Sequence, residues 1–196
     1  MTIKNTATRW GGVSQALHWA VVALILATGS IGLLMGGMRN SPDKIEVYAL
    51  HKSLGLTILA LALLRLLWRL YAGAPAPVPG TPRWQARLAS LTHWLLYALL
   101  LAIPISGWTF NSAAGYPLQW FGLFNLPALV ERNPALRGAA GNAHEWLFWT
   151  LVALALGHAA AALYHHVFRR DATLARMLPR GWLRSGADAS PTLPRD

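Results

Sequence analysis

Four long apolar segments constrain this chain more than any other feature of its sequence. The first, about residues 13–38, contains no charged residue, and three more at about 45–71, 84–110 and 142–168 carry few. Each is longer than the roughly 20 residues that a helix needs to cross the hydrocarbon core of a bilayer. Because backbone polar groups in lipid must bond within the chain, the sequence predicts an all-α membrane protein, a bundle of four transmembrane helices.

Composition narrows the possible functions. Of the 196 residues, 55% are hydrophobic and 12% are charged, so four spans and short loops use most of the chain and leave no room for a large catalytic domain. The chain has no cysteine, which excludes disulfide scaffolds, thiolate zinc sites, iron–sulfur clusters and cysteine nucleophiles. Histidine is the main soft ligand that remains.

The segments between the predicted spans are short. Four prolines within residues 72–82 predict a loop, and residues 111–141, with three prolines and several glycines, predict a second loop with one interfacial turn. Residues 1–180 are expected to form a single domain. Residues 181–196 are expected to be a disordered cytoplasmic tail.

The distribution of positive charge predicts the orientation. The formal net charge is +10, and twelve of the seventeen lysines and arginines fall on the side of the bundle that carries both termini. Since basic residues near the ends of spans are retained in the cytoplasm, both termini are expected to be cytoplasmic, in a multi-pass protein of a bacterial inner membrane. The same asymmetry explains the basic composition without a nucleic-acid partner.

At least five of the seven histidines fall within the predicted spans rather than in loops, and ionisable groups there usually mark functional sites. His144 and His158 are 14 residues apart on the last helix, which places them within about 40° of one face and about 21 Å apart along the axis. By depth, His51 pairs with His144 near the outer surface, and His18 pairs with His158 nearer the cytoplasm. Spacing alone leaves His93 open as an alternative to His18.

An imidazole pair facing across a helix bundle suits the two axial positions of a b-type haem. The sequence has no CxxCH motif, so such a haem would be bound non-covalently. Two haems at two depths would form an electron path across the bilayer. Arg65 follows His51 by 14 residues, so it lies on the same helix face at the inner depth, as a partner for a haem propionate or as a snorkelling end charge.

Several short motifs carry a family resemblance: LHW at 17–19, HKSLG at 51–55, RLLWRL at 65–70, AIPISGW at 102–108, HEW at 144–146, GHAAAALYHH at 157–166 and RMLPR at 176–180. With these motifs the chain resembles the bacterial cytochrome b561 family, and particularly its superoxide oxidase type, over about residues 10–180. The resemblance implies a four-helix bundle enclosing two b haems. It implies that His51 and His144 bind the outer haem iron, and that His18, rather than His93, joins His158 at the inner one.

The superoxide oxidase type implies an activity as well. Superoxide would be oxidised on the periplasmic side, and ubiquinone would accept the electrons nearer the cytoplasm. The adjacent histidines of the family match His165 and His166, which makes His165 the candidate for the quinone site. Positive charge on the outer side would attract the superoxide anion, and the residues that could supply it are Lys52, Arg39, Arg132 and Arg137.

Two other classes of function remain open from the sequence. The chain could be a membrane subunit that relays electrons for a separate dehydrogenase or a periplasmic redox partner, and its activity would then require that partner. It could also be a channel or transporter without haem, whose histidines relay protons. A proton relay, however, does not require histidines paired at two depths.

Overall fold

The computed structural model describes residues 2–183, and four long helices form most of this part of the chain. They are α1 (Gly12–Met35), α2 (Pro42–Ala72), α3 (Arg83–Ala113) and α4 (Pro134–Val167). All four are long and apolar enough to cross a membrane, so the predicted four-helix transmembrane bundle is confirmed. Of the expected disordered tail, residues 184–196 lie outside the described part of the chain.

Two helices begin earlier than the sequence suggested, and a proline is the first residue of each. Asn133 caps α4 with its side chain, which accepts a hydrogen bond of 3.0 Å from the Leu136 amide, and Pro134 follows. Ser41 caps α2 in the same way, and Pro42 follows. Proline suits the first helical position, where no N–H is needed. Helix α4 therefore begins eight residues before the predicted position 142.

The segment between α3 and α4 contains an antiparallel strand pair, β1 (Leu118–Trp120) and β2 (Phe124–Leu126), where only a loop with one turn was expected. Phe121 and Gly122 reverse the chain with positive φ angles of 48° and 71°. The hairpin packs on α2, where the Phe121 amide donates to Ser53 Oγ at 2.9 Å. The polar face of α2 therefore supplies the partner that this loop backbone needs.

The two ends of the bundle differ in what covers them. The hairpin end consists of residues 36–41 and 114–133. The terminal end consists of residues 2–11, 73–82 and 168–183, and its last segment folds back onto α1. Trp19 Nε1 donates to the Met177 carbonyl at 2.9 Å, and Gln15 Nε2 donates to the Arg176 and Leu178 carbonyls at 3.2 Å each.

A packed apolar layer occupies the middle of the bundle, while large apolar side chains such as Leu26, which is 66% exposed, cover its outside. That exterior is what a lipid environment requires. Leu151 in the layer lies seven residues from both His144 and His158, so the layer separates two levels of histidines. The buried members of the layer come from all four helices: Val21, Ile58, Ala62, Leu99, Leu100 and Leu151.

Candidate functional site: histidines at two levels

The first level of histidines, called here the hairpin-end pair, consists of His51 on α2 and His144 on α4. Their ring centroids are 6.2 Å apart, with an angle of 76° between the ring planes. Helices α2 and α4 are not among the closely packed helix pairs, which are α1 with α2, α2 with α3 and α3 with α4. The two imidazoles therefore face each other across a gap between helices.

The backbones of neighbouring helices orient both rings of the hairpin-end pair. His51 Nδ1 lies 3.1 Å from the Thr28 carbonyl oxygen, and His144 Nδ1 lies 2.9 Å from that of Ile103. A carbonyl oxygen only accepts hydrogen bonds, so each ring carries its proton on Nδ1. Nε2 is then left with a lone pair for a metal ion, as in metal-binding histidines whose other nitrogen donates to a carbonyl.

Two glycines make room for these rings. A β-carbon added at Gly32 on α1 would lie 3.1 Å from His51 Cε1, and one added at Gly107 on α3 would lie 3.1 Å from His144 Cε1. Both distances are shorter than ordinary carbon–carbon contacts. The close approach of each imidazole to its neighbouring helix therefore depends on a missing side chain.

The hairpin-end pair lines a cavity to which every helix contributes. Apart from the two rings and Thr28, its wall is apolar, and a β-carbon at Gly55 would meet nothing within 4 Å. The lining residues are Ile25, Thr28, Gly29, His51, Gly55, Ile58, Leu100, Ile103, Pro104, His144, Phe148 and Leu151.

The second level, called here the terminal-end cluster, brings three histidines together. His18 on α1 and His158 on α4 have ring centroids 6.5 Å apart. His93 on α3 is closer to His158, with a centroid separation of 5.3 Å. His18 Nδ1 is buried and has no hydrogen-bond partner within the described residues. The cluster thus contains both residues that the sequence left open as the partner of His158.

Two arginines of α2 lie beside the terminal-end cluster. The Arg65 guanidinium is 5.4 Å from the centre of the Tyr97 ring and lies within electrostatic range of His18 and His158. Arg69 lies among three aromatic rings, those of Trp10, Trp94 and Tyr97, at 5.6 to 5.7 Å. In the described part of the chain, neither arginine forms an ion pair with a carboxylate.

The donor sets at both levels fit a metal bound between two imidazoles. With metal–nitrogen bonds of about 2.0 Å on opposite sides of one ion, the two ring centres lie roughly 6 Å apart. The separations of the ring centroids in the structure, 6.2 Å for His51 and His144 and 6.5 Å for His18 and His158, agree with this value. No cluster of three or more His, Cys, Asp or Glu side chains within residues 2–183 could hold a bare metal ion. A ligand that brings its own equatorial donors, such as a porphyrin, satisfies both observations.

The candidate quinone residue His165 lies at the terminal end of the bundle, and the basic residues expected to attract an anion lie at the hairpin end. His165, near the end of α4, contacts Asp171 in the segment that follows, with 2.5 Å between Nδ1 and Oδ2. Burial raises the pKa of Asp171, but hydrogen bonds from His165 and Thr173 outweigh burial and hold this pKa below its usual value. Asp171 could not be predicted as a partner of His165, because nothing in the spacing of residues shows that the chain folds back after α4.

At the hairpin end, Lys52 is held by the base of the hairpin. Its Nζ donates to the Asn111 side-chain oxygen at 3.3 Å and to the Pro117 carbonyl at 3.2 Å. The other predicted basic residues there, Arg39, Arg132 and Arg137, are exposed. The contacts of Gly32 and Gly107 with these rings were also missed. Gly107 lies within the AIPISGW motif, whereas Gly32 has no signal beyond its place in an apolar helix.

The fold and the site together define a class: membrane proteins whose four helices carry histidines paired at two depths. A family model described as prokaryotic cytochrome b561 matches residues 9–180. Cytochrome b561 homolog 2 of Escherichia coli is 35% identical over 91% of this chain and 95% of its own length. A probable superoxide oxidase, CybB of Yersinia pestis, is 33% identical over 84% of this chain and 92% of its own length.

The chain therefore belongs to the prokaryotic cytochrome b561 family and is a membrane electron-transfer protein. The expected family resemblance is confirmed. Membership of this family implies a b-type haem.

Proposed function

We propose that the chain is a di-haem transmembrane cytochrome, with one b haem between His51 and His144 and a second between His18 and His158. The observation that carries this proposal is the separation of the two ring pairs, 6.2 and 6.5 Å, on either side of a packed apolar layer. When bound, each haem would supply a one-electron redox centre held by its pair of histidines. Each of the four proposed histidine ligands lies within a helix, so the helix backbone fixes its position.

In the proposed orientation the terminal end faces the cytoplasm and the hairpin end faces the periplasm. Of the described lysines and arginines, ten lie at the terminal end or on the helix turns next to it, and five lie at the hairpin end or on the helix turns next to it. This asymmetry supports retention of the terminal end on the cytoplasmic side of a bacterial inner membrane.

The proposed reaction joins superoxide at the hairpin end to ubiquinone at the terminal end. Two superoxide anions give up one electron each and become two oxygen molecules. One ubiquinone takes up those two electrons and two protons and becomes ubiquinol. The similarity to the probable superoxide oxidase of Yersinia pestis supports this choice of donor.

Basic residues at the hairpin end would attract the anion. Lys52 is adjacent in sequence to His51 and is tethered to Asn111 and Pro117, so its charge stays near the hairpin-end pair. The charges of Arg39, Arg132 and Arg137 are exposed and would add to the local field. Such a field raises the association rate of a small anion and weakens as salt is added.

At the terminal end, Arg65 and Arg69 would hold the carboxylates of the second haem. Two guanidinium groups near the membrane interior need counter-charges, and no carboxylate of the described residues pairs with them. The propionates of a b haem would supply the missing negative charge. His165 would hydrogen-bond a quinone oxygen at the same end.

The test begins with the pigment. Purified protein is expected to show a b-type reduced-minus-oxidised spectrum and two haems per chain. Colourless protein would overturn the proposal and favour a proton channel. A single haem would leave one histidine level without its proposed role.

The donor and acceptor are tested by adding superoxide and a short-chain ubiquinone. The chain alone is expected to form ubiquinol from both. If it takes electrons only when a dehydrogenase or a periplasmic cytochrome is added, the electron-relay subunit is the correct function. His165→Ala is expected to slow quinone reduction, with the neighbouring His166→Ala as the matched control. Equal rates in wild type and His165→Ala would remove His165 from the quinone site.

A further inference from the structure

One ionisable pair at the terminal end has no role in the function proposed so far. His165 Nδ1 lies 2.5 Å from Asp171 Oδ2, and the two side chains are 20% and 18% exposed. This is the only ion-pair contact within residues 2–183. The pair is thus partly shielded from water but still open to a ligand.

The backbone after α4 fixes the carboxylate. Arg170 reverses the chain with a φ of 53°, and the Asp171 amide donates to the His165 carbonyl at 3.2 Å. The Thr173 amide donates to Asp171 Oδ1 at 2.8 Å, so both carboxylate oxygens have a partner. A carboxylate held at both oxygens has one orientation, and that orientation faces His165.

Asp171 contacts a histidine although many lysines and arginines lie at the same end of the bundle. Among the described residues, Asp171 is the only carboxylate at the terminal end or on the helix turns next to it, where there are ten lysines and arginines. A purely structural carboxylate in such surroundings would be expected to pair with one of these permanent cations. Asp171 contacts a histidine instead, and histidine is the side chain that can take up and release a proton near neutral pH.

We infer that Asp171 is a positioning residue of the quinone site, whose carboxylate holds the Nδ1–H of His165 so that Nε2 faces the quinone oxygen. This inference rests on the proposed function of His165. With Nδ1 engaged, Nε2 is the only ring nitrogen that can serve a ligand. When both ring nitrogens carry a proton, the ring can donate one hydrogen bond to Asp171 from Nδ1 and another to the quinone oxygen from Nε2.

The proton balance is complete with water as the source. For each ubiquinone reduced, two electrons arrive from the hairpin end and two protons are needed. His165 gives one proton from Nε2, regains one from water at the terminal end, and gives the second in the same way. Asp171 stays ionised throughout and exchanges no proton.

The experiment follows the reoxidation of dithionite-reduced protein by a short-chain ubiquinone. Asp171→Asn keeps the side-chain shape and removes the charge. It is expected to lower the limiting rate about tenfold, with little change in the half-saturating quinone concentration, because the group assists proton transfer more than binding. Asp171→Glu restores the charge and is expected to recover part of the rate. Asp43→Asn, which removes a carboxylate at the start of α2, is the matched control and is expected to keep the wild-type rate.

A double variant tests whether the two residues act together. Asp171→Asn combined with His165→Ala is expected to be no slower than His165→Ala alone, because a positioning residue has no effect without its partner. A further slowing in the double variant would overturn the inference. So would a wild-type rate in Asp171→Asn, or loss of pigment in that variant, which would indicate a structural role. If His165→Ala itself reacts at the wild-type rate, the proposed quinone site fails first.

Discussion

The hairpin-end pair and the terminal-end cluster use the same side chain in different surroundings. His51 and His144 each direct Nδ1 to a carbonyl oxygen of a neighbouring helix, and each ring packs against a glycine. His18 Nδ1 has no partner among the described residues, and Arg65 lies within electrostatic range of this ring. Backbone geometry therefore orients the first level, whereas charged side chains surround the second.

This difference gives the two levels different electrostatics. A hydrogen bond from Nδ1–H to a carbonyl makes an imidazole a stronger donor to a metal and favours the oxidised, more positive state. Guanidinium groups close to a redox centre favour the state with one more electron. We therefore expect the terminal-end centre to have the higher reduction potential, which would draw electrons away from the hairpin end.

The largest expected effect is the loss of one centre with the other intact. His144→Ala should remove the pigment of the hairpin end only, and His158→Ala should remove that of the terminal end only, because the apolar layer separates them. Haem per chain, measured chemically, should fall by half in each variant. A full pigment load in either variant would contradict the assignment of that residue as a ligand.

The next effect tests the close packing that distinguishes the hairpin end. Gly107→Val should displace the His144 ring, because even a β-carbon there would lie 3.1 Å from Cε1. We expect a loss of hairpin-end pigment or a shifted spectrum. Gly157→Val is the matched control beside His158, since a β-carbon at Gly157 meets nothing within 4 Å. Equal behaviour of the two variants would show that the glycine does not matter.

A smaller effect concerns the charge at the terminal end. Arg65→Met should lower the reduction potential of the terminal-end centre by roughly 40 mV, since removing a partly shielded unit charge costs on the order of 1 kcal/mol. A redox titration followed by absorbance would measure this shift, with the exposed Arg83→Met as the control. If the lower potential instead belonged to the hairpin-end centre, the placement of Arg65 would be wrong.

The smallest effect is expected for His93. His93→Leu should keep the haem content unchanged, because His18 is the proposed partner of His158 and His93 only packs against that ring. Loss of terminal-end pigment in this variant, with pigment retained in His18→Ala, would reverse the assignment. The ring centroid of His158 lies 5.3 Å from that of His93 and 6.5 Å from that of His18. Because His93 is the closer of the two, only the comparison of these variants assigns the ligand.

Much of the site could be predicted from the sequence because helical geometry is regular. The 14-residue interval between His144 and His158 fixed their shared face, and the order of the spans matched His51 and His18 to them in depth. The spacing could not show how close His93 comes to His158, because the rotation of α3 about its axis depends on its packing with α4. The hydrogen bonds of His51 and His144 to the carbonyls of Thr28 and Ile103 could not be predicted for the same reason.

The strand pair and the start of α4 show a second limit. Residues 111–141 are rich in proline and glycine. Such a composition is compatible with an irregular loop and equally with a hairpin followed by a capped helix. Only the contact of the hairpin with Ser53 of α2 distinguishes the two possibilities, and that contact joins residues far apart in the chain.

The sequence by itself determined the membrane environment, the number of helices and the depth of each histidine, since all three follow from hydrophobic length and helical rise. The tertiary structure decided which rings meet, which glycines admit them, and that Asp171 returns to His165. These features depend on contacts between separate helices or across a chain reversal, and no local pattern of residues encodes the distance at which such elements pack.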